Sequence, residues 1–185
     1  MSEQDRVRWD ARYAASPSGP ESGPPPVFAS HVAEFPVAGA ALDIACGQGA
    51  GSIWLAQHGL DVLGVDVSPV AIATARAWAL QLGVADRCRF DVVDLDDGLP
   101  AGPPLDVILC HRFRDARLDR ALVDRLAPGG LLAISVLSEV GGVPGPFRAR
   151  PGELTASFAD LEVIAAGEGD GEAWLVAKVA NSQAS

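Results

Sequence analysis

From about residue 38 the chain alternates between short apolar runs and longer stretches of mixed pattern. Residues 40–45 form an apolar run that stops at a glycine-rich turn, which predicts a buried strand. Residues 50–58 read as a helix closed by Gly59. Residues 61–65 predict a second strand. Ser68 is placed to cap a helix over 69–82, with Pro69 at its first position and Gly83 just past its end. Residues 88–93 and 105–110 predict two more strands, and 115–126 a helix. Pro128-Gly129-Gly130 marks a turn before a fifth strand over 131–137. Repeated strand, turn and helix argue for a parallel sheet covered on both faces.

The end of the chain breaks this rhythm. A helix is expected over 151–158. Two strands, 161–166 and 173–179, are then joined by GEGDGE, too short for a crossover helix. The expected result is a hairpin whose last strand runs antiparallel to its neighbour. At the front, residues 16–26 read SPSGPESGPPP, a loop rich in proline, glycine and serine. The segment before it is too short for a core of its own. We therefore expect one domain over 1–185, with 1–35 as an N-terminal helix and cover segment and 38–180 as the core.

Composition narrows the choices. The chain has 185 residues and is 49% hydrophobic, enough for one sizeable core. No apolar run approaches the roughly 20 residues needed to span a bilayer. The start, MSEQDRVRWDARY, lacks the pattern of a secretory signal, so a cytoplasmic protein is expected. A formal net charge of -10 makes nucleic acid and anionic membranes poor partners. Arg112, Arg114, Arg117, Arg120 and Arg125 cluster, but Asp115, Asp119 and Asp124 interleave with them, the pattern of an ion-paired helix face. Cys46, Cys88 and Cys110 are odd in number and show no ligand spacing, so neither a disulfide framework nor a metal site is expected. Lys178 is the only lysine, which argues against lysine-based covalent chemistry.

The sharpest chemical signal is Asp43-Ile44-Ala45-Cys46-Gly47-Gln48-Gly49, between a strand and a helix. Glycines let a ligand approach the backbone, and the helix N-terminus offers free N–H groups. An acid at the strand end suits a cationic or hydrogen-bond-donating ligand better than a pyrophosphate. Asp66 ends the next strand, where such architectures read ribose hydroxyls. Asp94, followed by Leu95, ends the strand after that. Three strands thus finish in Asp at one sheet edge, where open α/β sheets bind ligands.

DIACGQG, DVSPVAIATARA, the Asp94-Leu95 pair and LAPGGLLAISVL resemble the motifs of class I S-adenosylmethionine-dependent methyltransferases over roughly residues 38–180. Trp9-Asp10-Ala11-Arg12-Tyr13, His111-Arg112-Phe113-Arg114, Phe147 and Arg150-Pro151-Gly152-Glu153-Leu154 are similar to the small tellurite-resistance-like branch. The resemblance implies an α/β fold, a Rossmann-like doubly wound sheet of seven strands, mostly parallel with an antiparallel last strand. It implies S-adenosyl-L-methionine as cofactor and methyl transfer to a small molecule. Asp43 and the backbone of Ala45, Cys46, Gly47 and Gly49 would surround the methionine part. Asp66 would hold both ribose hydroxyls, with Val67 on the adenine and Ser68 beside it. Asp94 and Leu95 would read the adenine edge, and Cys110 and His111 would line the methyl-donor side. Trp9 and Tyr13, four residues apart on one helical face, would close over the cofactor or simply pack. Ala45 departs from the family pattern, which often has glycine there.

Methyl transfer from a sulfonium mainly needs alignment, so a base is required only when the acceptor arrives protonated. His111 is the best-placed candidate base, against the alternative that it only shapes the pocket. Arg112 and Arg114 either clamp an anionic substrate or pair with surface acids. Cys46 reads as a small buried side chain rather than a nucleophile. Residues 138–146 are expected to form a substrate rim. Two other functions remain open here. A non-catalytic S-adenosylmethionine-binding sensor would use the same cofactor residues. A NAD-dependent oxidoreductase would want G-x-G-x-x-G, which Gly47 to Ser52 only partly supplies. A monomer and a homodimer are both compatible with the sequence.

Overall fold

A computed structural model describes residues 3–15, 22–145 and 148–180. Residues 16–21 of the proline- and glycine-rich loop, and Pro146 and Phe147, lie outside the described residues. Helix α1 spans Glu3–Ala15, and a 3-10 segment follows at Pro26–Glu34. Then come β1 (Ala40–Ile44), α2 (Ala50–Gln57), β2 (Asp61–Asp66), α3 (Pro69–Gln81), β3 (Cys88–Val92) and β4 (Leu105–His111). The chain continues through α4 (Asp119–Arg125), β5 (Leu126–Leu137), α5 (Glu153–Ser157), β6 (Glu162–Gly169) and β7 (Glu172–Lys178). The seven strands form one sheet in the order β3-β2-β1-β4-β5-β7-β6. Strands β1 to β5 pair in parallel, while β7 is antiparallel to both β5 and β6. The seven-stranded, mostly parallel sheet with a reversed last strand is therefore present.

Strand order reverses between β1 and β4, which opens a crevice at the carboxyl ends of the strands. Both faces of the sheet are covered, and this explains the unbroken apolar runs. Ala41, Val107, Leu109, Leu131 and Ala133 pack under α2, α3 and the 3-10 segment, with Phe28, Ile53, Leu55 and Ile72. Leu42, Ile44, Ile108, Cys110, Leu132 and Ile134 pack on the other face, with Leu122 and Phe158 of the α4–α5 layer. Period-2 alternation therefore assigns a face to every strand residue.

Three local differences from the sequence reading have simple causes. β5 begins at Leu126, because Leu126 pairs with Leu105 and residues 127–130 bulge out before Leu131 rejoins at Val107. The helix expected over 115–126 is split: Asp115 accepts a hydrogen bond from the Arg117 N–H and caps a 3-10 turn, and α4 starts only at Asp119. The final hairpin is tighter than its GEGDGE link suggested. Asp170 and Gly171 take φ of 51° and 80°, the two-residue turn that lets β6 and β7 pair up to Gly169 and Glu172.

Among the described residues, no helix is long and apolar enough to cross a membrane. The link from β3 to β4 holds only a 3-10 turn, Leu95–Asp97, where a crossover helix would lie. That leaves a groove of about 450 Å³ at the amino ends of β1 and β2, lined in part by Ala40, Leu63 and Arg89. It lies at the opposite edge of the sheet from the three-aspartate motif.

Candidate active site

Alternation sends Asp43 and Asp66 to the face covered by α2 and α3. Asp43 is 3% exposed, and the Ser52 hydroxyl of α2 donates to its Oδ2 at 2.5 Å. Burial pushes this carboxyl up to about 7; the Ser52 hydrogen bond opposes the rise and the charge of Asp66 adds to it. Asp66, at the end of β2, is 5% exposed. Its Oδ2 accepts the Gly47 N–H and its Oδ1 the Ser68 N–H, both at 2.9 Å. Burial raises the Asp66 pKa, the backbone N–H groups of Ser68, Gly47 and Val67 pull it back, and Asp10 pushes it up. A carboxylate offers about four lone-pair sites, so acceptor capacity is left beyond these backbone donors.

The turn between β1 and α2 is built from left-handed backbone. Ala45, Gly47 and Gly49 have φ of 52°, 55° and 84°. Ala45 thus sits where glycine would relax the chain, which accounts physically for the glycine usual at that place in the motif. At Gly47 space is also short: an added Cβ would stand 2.8 Å from the Tyr13 hydroxyl. The Cys46 thiol is held well above its usual pKa by burial first and by Asp43 and Asp66 next, so it is a poor nucleophile.

Helix α1 brings Trp9, Asp10 and Tyr13 to this turn. Asp10 accepts a short hydrogen bond from the Ser68 hydroxyl, which also accepts the Ala71 N–H at 3.1 Å as the cap of α3. Trp9 and Tyr13 stack with centroids 5.8 Å apart, and the Arg12 guanidinium lies 5.1 Å from the Trp9 ring. Tyr13 is half-buried, and burial raises its phenol pKa, helped by Asp66. Asp10 stood within the Trp9 to Tyr13 motif without an assigned role; its hydrogen bond from Ser68 supplies one.

The remaining expected residues divide. Val67 is buried beside Asp66. Asp94 caps its 3-10 turn by accepting the Asp96 N–H at 3.0 Å, and Leu95 points into the opposite core. Cys110 also turns away: its thiol donates to the Phe113 carbonyl at 3.5 Å on the α4–α5 side, and burial raises it to about 12. Only its backbone faces the crevice. His111, one residue on, takes the other face. Its Nδ1 lies 2.7 Å from the Ser135 hydroxyl and 3.8 Å from Glu172. Arg112 pairs with Glu172 at 3.1 Å. Arg114 is not with them. Its side chain is 8% exposed and ties α4 to α5, donating to Asp119, Glu153 and the Ser157 hydroxyl. Ser138, at the start of the expected rim, is fully buried and donates to Glu168 at 2.7 Å.

Sequence reasoning missed Ser52, Asp10, Ser135 and Glu172. Strand parity was the available signal for the last two. Ser135 lies two residues past Ala133, and Glu172 two before Trp174, on the same face as His111.

Known proteins resemble this arrangement. A methyltransferase domain family model matches residues 41–130. The 2-heptyl-1-hydroxyquinolin-4(1H)-one methyltransferase of Mycobacteroides abscessus is 32% identical over 155 residues, covering 77% of this chain and 67% of that protein. The match spans only 37% of an uncharacterized Synechococcus protein and 44% of a Pseudomonas aeruginosa ubiquinone biosynthesis O-methyltransferase. TehB of Haemophilus influenzae superposes with a TM-score of 0.70 at 20% identity, over 83% of this chain and 60% of that one. The cyclase SpnF superposes at 0.75 with 19% identity, over 98% and 97%. A cyclase on this fold is a reminder that architecture alone does not define the reaction.

Proposed function

The chain belongs to the methyltransferase domain family of S-adenosylmethionine-dependent enzymes, and from that premise we propose that it methylates a small-molecule acceptor. Asp66 carries this reading. A buried carboxylate at the strand end, with acceptor capacity left beyond its backbone donors, suits a hydroxyl-bearing ligand such as a nucleoside ribose. The rest of the edge fits the same ligand. Gly47 sets its bare backbone against the Tyr13 hydroxyl, the Asp43 carboxyl, its pKa raised to about 7 by burial, would be drawn into its charged form by a cationic amino acid moiety, and Tyr13 and Trp9 form an outer wall. Ala45, Cys46 and Gly49 contribute backbone, Val67 and Ser68 lie under the base, and Asp94 with the Leu95 backbone reads its edge, the Leu95 side chain being in the core. When bound, S-adenosylmethionine supplies a methyl group on a sulfonium that leaves as a neutral thioether. The protein's work is to orient the acceptor and exclude water.

Among the described residues no large insertion overhangs the crevice, which suits a small acceptor. Arg112 lies beside it, whereas Arg114 holds the scaffold. The three free cysteines support a cytoplasmic setting, where thiols stay reduced. The proposal treats the chain as one catalytic domain, monomeric or homodimeric. It is tested by incubation with methyl-labelled S-adenosylmethionine and a panel of phenols, N-hydroxy heteroaromatics and thiols, with product read by mass spectrometry. A methylated product that disappears with Asp66→Ala supports it. Tight cofactor binding with no product from any acceptor would favour a sensor.

A further inference from the structure

His111 ends β4, Ser135 lies near the end of β5, and Glu172 opens β7, so three strands that are neighbours in the sheet bring them together on one face. Ser135 is fully buried and its Oγ accepts the Arg112 N–H at 3.2 Å. Arg112 has φ of 56°, a conformation that L side chains rarely adopt; its N–H also reaches the Ser135 carbonyl at 2.8 Å. This turn folds the guanidinium back onto Glu172 Oε2 at 3.1 Å. Oε1 is left buried, without a hydrogen-bond partner among the described residues, 3.8 Å from His111 Nδ1. Nε2 of the same ring makes no hydrogen bond among the described residues, and the side chain is about one-third exposed.

Nδ1 hydrogen-bonds to Ser135 Oγ at 2.7 Å, and a lone pair on it would also stand 3.8 Å from a buried, unsatisfied carboxylate oxygen. A proton on Nδ1 turns that repulsion into attraction. We infer that Glu172 is a positioning residue: it fixes His111 in the Nδ1–H form, so that Nε2 is the base for an acceptor bearing a proton on its nucleophilic atom. The inference rests on the methyltransferase reading above. The acceptor class is a hydroxyl or thiol, not an amine that already exposes its lone pair. The acceptor's O–H or S–H proton passes to Nε2, and the electron pair of that bond stays on oxygen or sulfur as the nucleophile. The resulting imidazolium donates Nδ1–H to the Ser135 hydroxyl at 2.7 Å, and the Glu172 carboxylate 3.8 Å away stabilises its charge. Burial holds His111 below the ordinary imidazole pKa, with Glu172 pulling it up and Arg112 pushing it down. A base that stays neutral at physiological pH is what the step requires.

The test needs no acceptor. Nitrogen-15 NMR of the three histidines across a pH series reports tautomer and titration for wild type and Glu172→Gln. Histidine assignments come from His111→Asn, His31→Asn and His58→Asn. Calorimetry with S-adenosylhomocysteine runs alongside. The expected result is Nδ1–H at His111 in the wild type, a His111 titration moved to lower pH in Glu172→Gln, and equal S-adenosylhomocysteine affinity in both. An Nε2–H ring in the wild type, or a titration that Glu172→Gln leaves in place, overturns the inference. Failure of the wild type to bind S-adenosylhomocysteine overturns the methyltransferase reading instead, and the two failures appear in different instruments.

Discussion

Replacing Asp43 by Asn should make the ligand-free protein more stable at alkaline pH. Asp43 is buried at 3% exposure, and its carboxyl titrates at about 7 rather than 3.8. The folded state therefore keeps a proton that the unfolded chain releases. By linkage, stability falls as pH rises from about 4 to about 7 and stays reduced above that. At about 1.4 kcal/mol per pH unit, a shift of roughly three units costs on the order of 4 kcal/mol at pH 8. Asparagine keeps a carbonyl to accept the Ser52 hydrogen bond but cannot ionise. Its NH2 group adds a packing cost that does not change with pH, so the difference between two pH values cancels it. Between about pH 5.5 and 8.5 the stability of Asp43→Asn relative to wild type should rise by about 2 kcal/mol. Urea titrations followed by tryptophan fluorescence at four or five pH values would measure this. A difference that stays flat would mean that Asp43 ionises normally in the fold, and the account of its burial would be wrong.

Other outcomes follow from individual contacts. Ala45→Gly should stabilise the fold by about 1 kcal/mol in thermal melts, because a left-handed alanine is strained by roughly that amount; no gain would mean the turn is relaxed. Arg114→Met should cost about 2–3 kcal/mol, since Asp119 and Glu153 lose their shared partner, with the loss discounted for the exposure of Glu153. Its cofactor affinity should be unchanged; a large affinity loss would return Arg114 to the binding site. Asp10→Ala removes the bond from α1 to Ser68 and should speed S-adenosylhomocysteine release several-fold in stopped-flow fluorescence. An unchanged release rate would show that α1 only packs.

Much of the fold was legible because its causes are local. The Ser68 cap with Pro69, the glycine turn after β1 and the apolar run of β4 each announce an element within a few residues. Where the sequence reading slipped, the cause was pairing at a distance. β5 extends back to Leu126 only because Leu105 lies across from it, and the tight Asp170-Gly171 turn follows from register with β7. The same holds at the site. Asp43, Asp66 and His111 could be picked out as polar residues closing apolar strands. Strand parity puts Glu172 on the right face but not beside His111, because that placement comes from lying two strands away in the finished sheet. Cys110 shows the converse: adjacency to His111 in sequence put it on the opposite face.

The central claim is that Asp66 holds the ribose of S-adenosylmethionine at the carboxyl edge of the sheet. The most direct test is a calorimetric titration of S-adenosylmethionine, with NAD as control, into wild type and Asp66→Asn. Asparagine is preferred to alanine here because it leaves an acceptor for one of the Gly47 and Ser68 N–H groups. The account predicts that the wild type binds S-adenosylmethionine and not NAD. It also predicts that Asp66→Asn loses about 1.5–3 kcal/mol of affinity, the range for hydrogen bonds to a charged group. Equal affinity in the two proteins, or binding of NAD in place of S-adenosylmethionine, would contradict it.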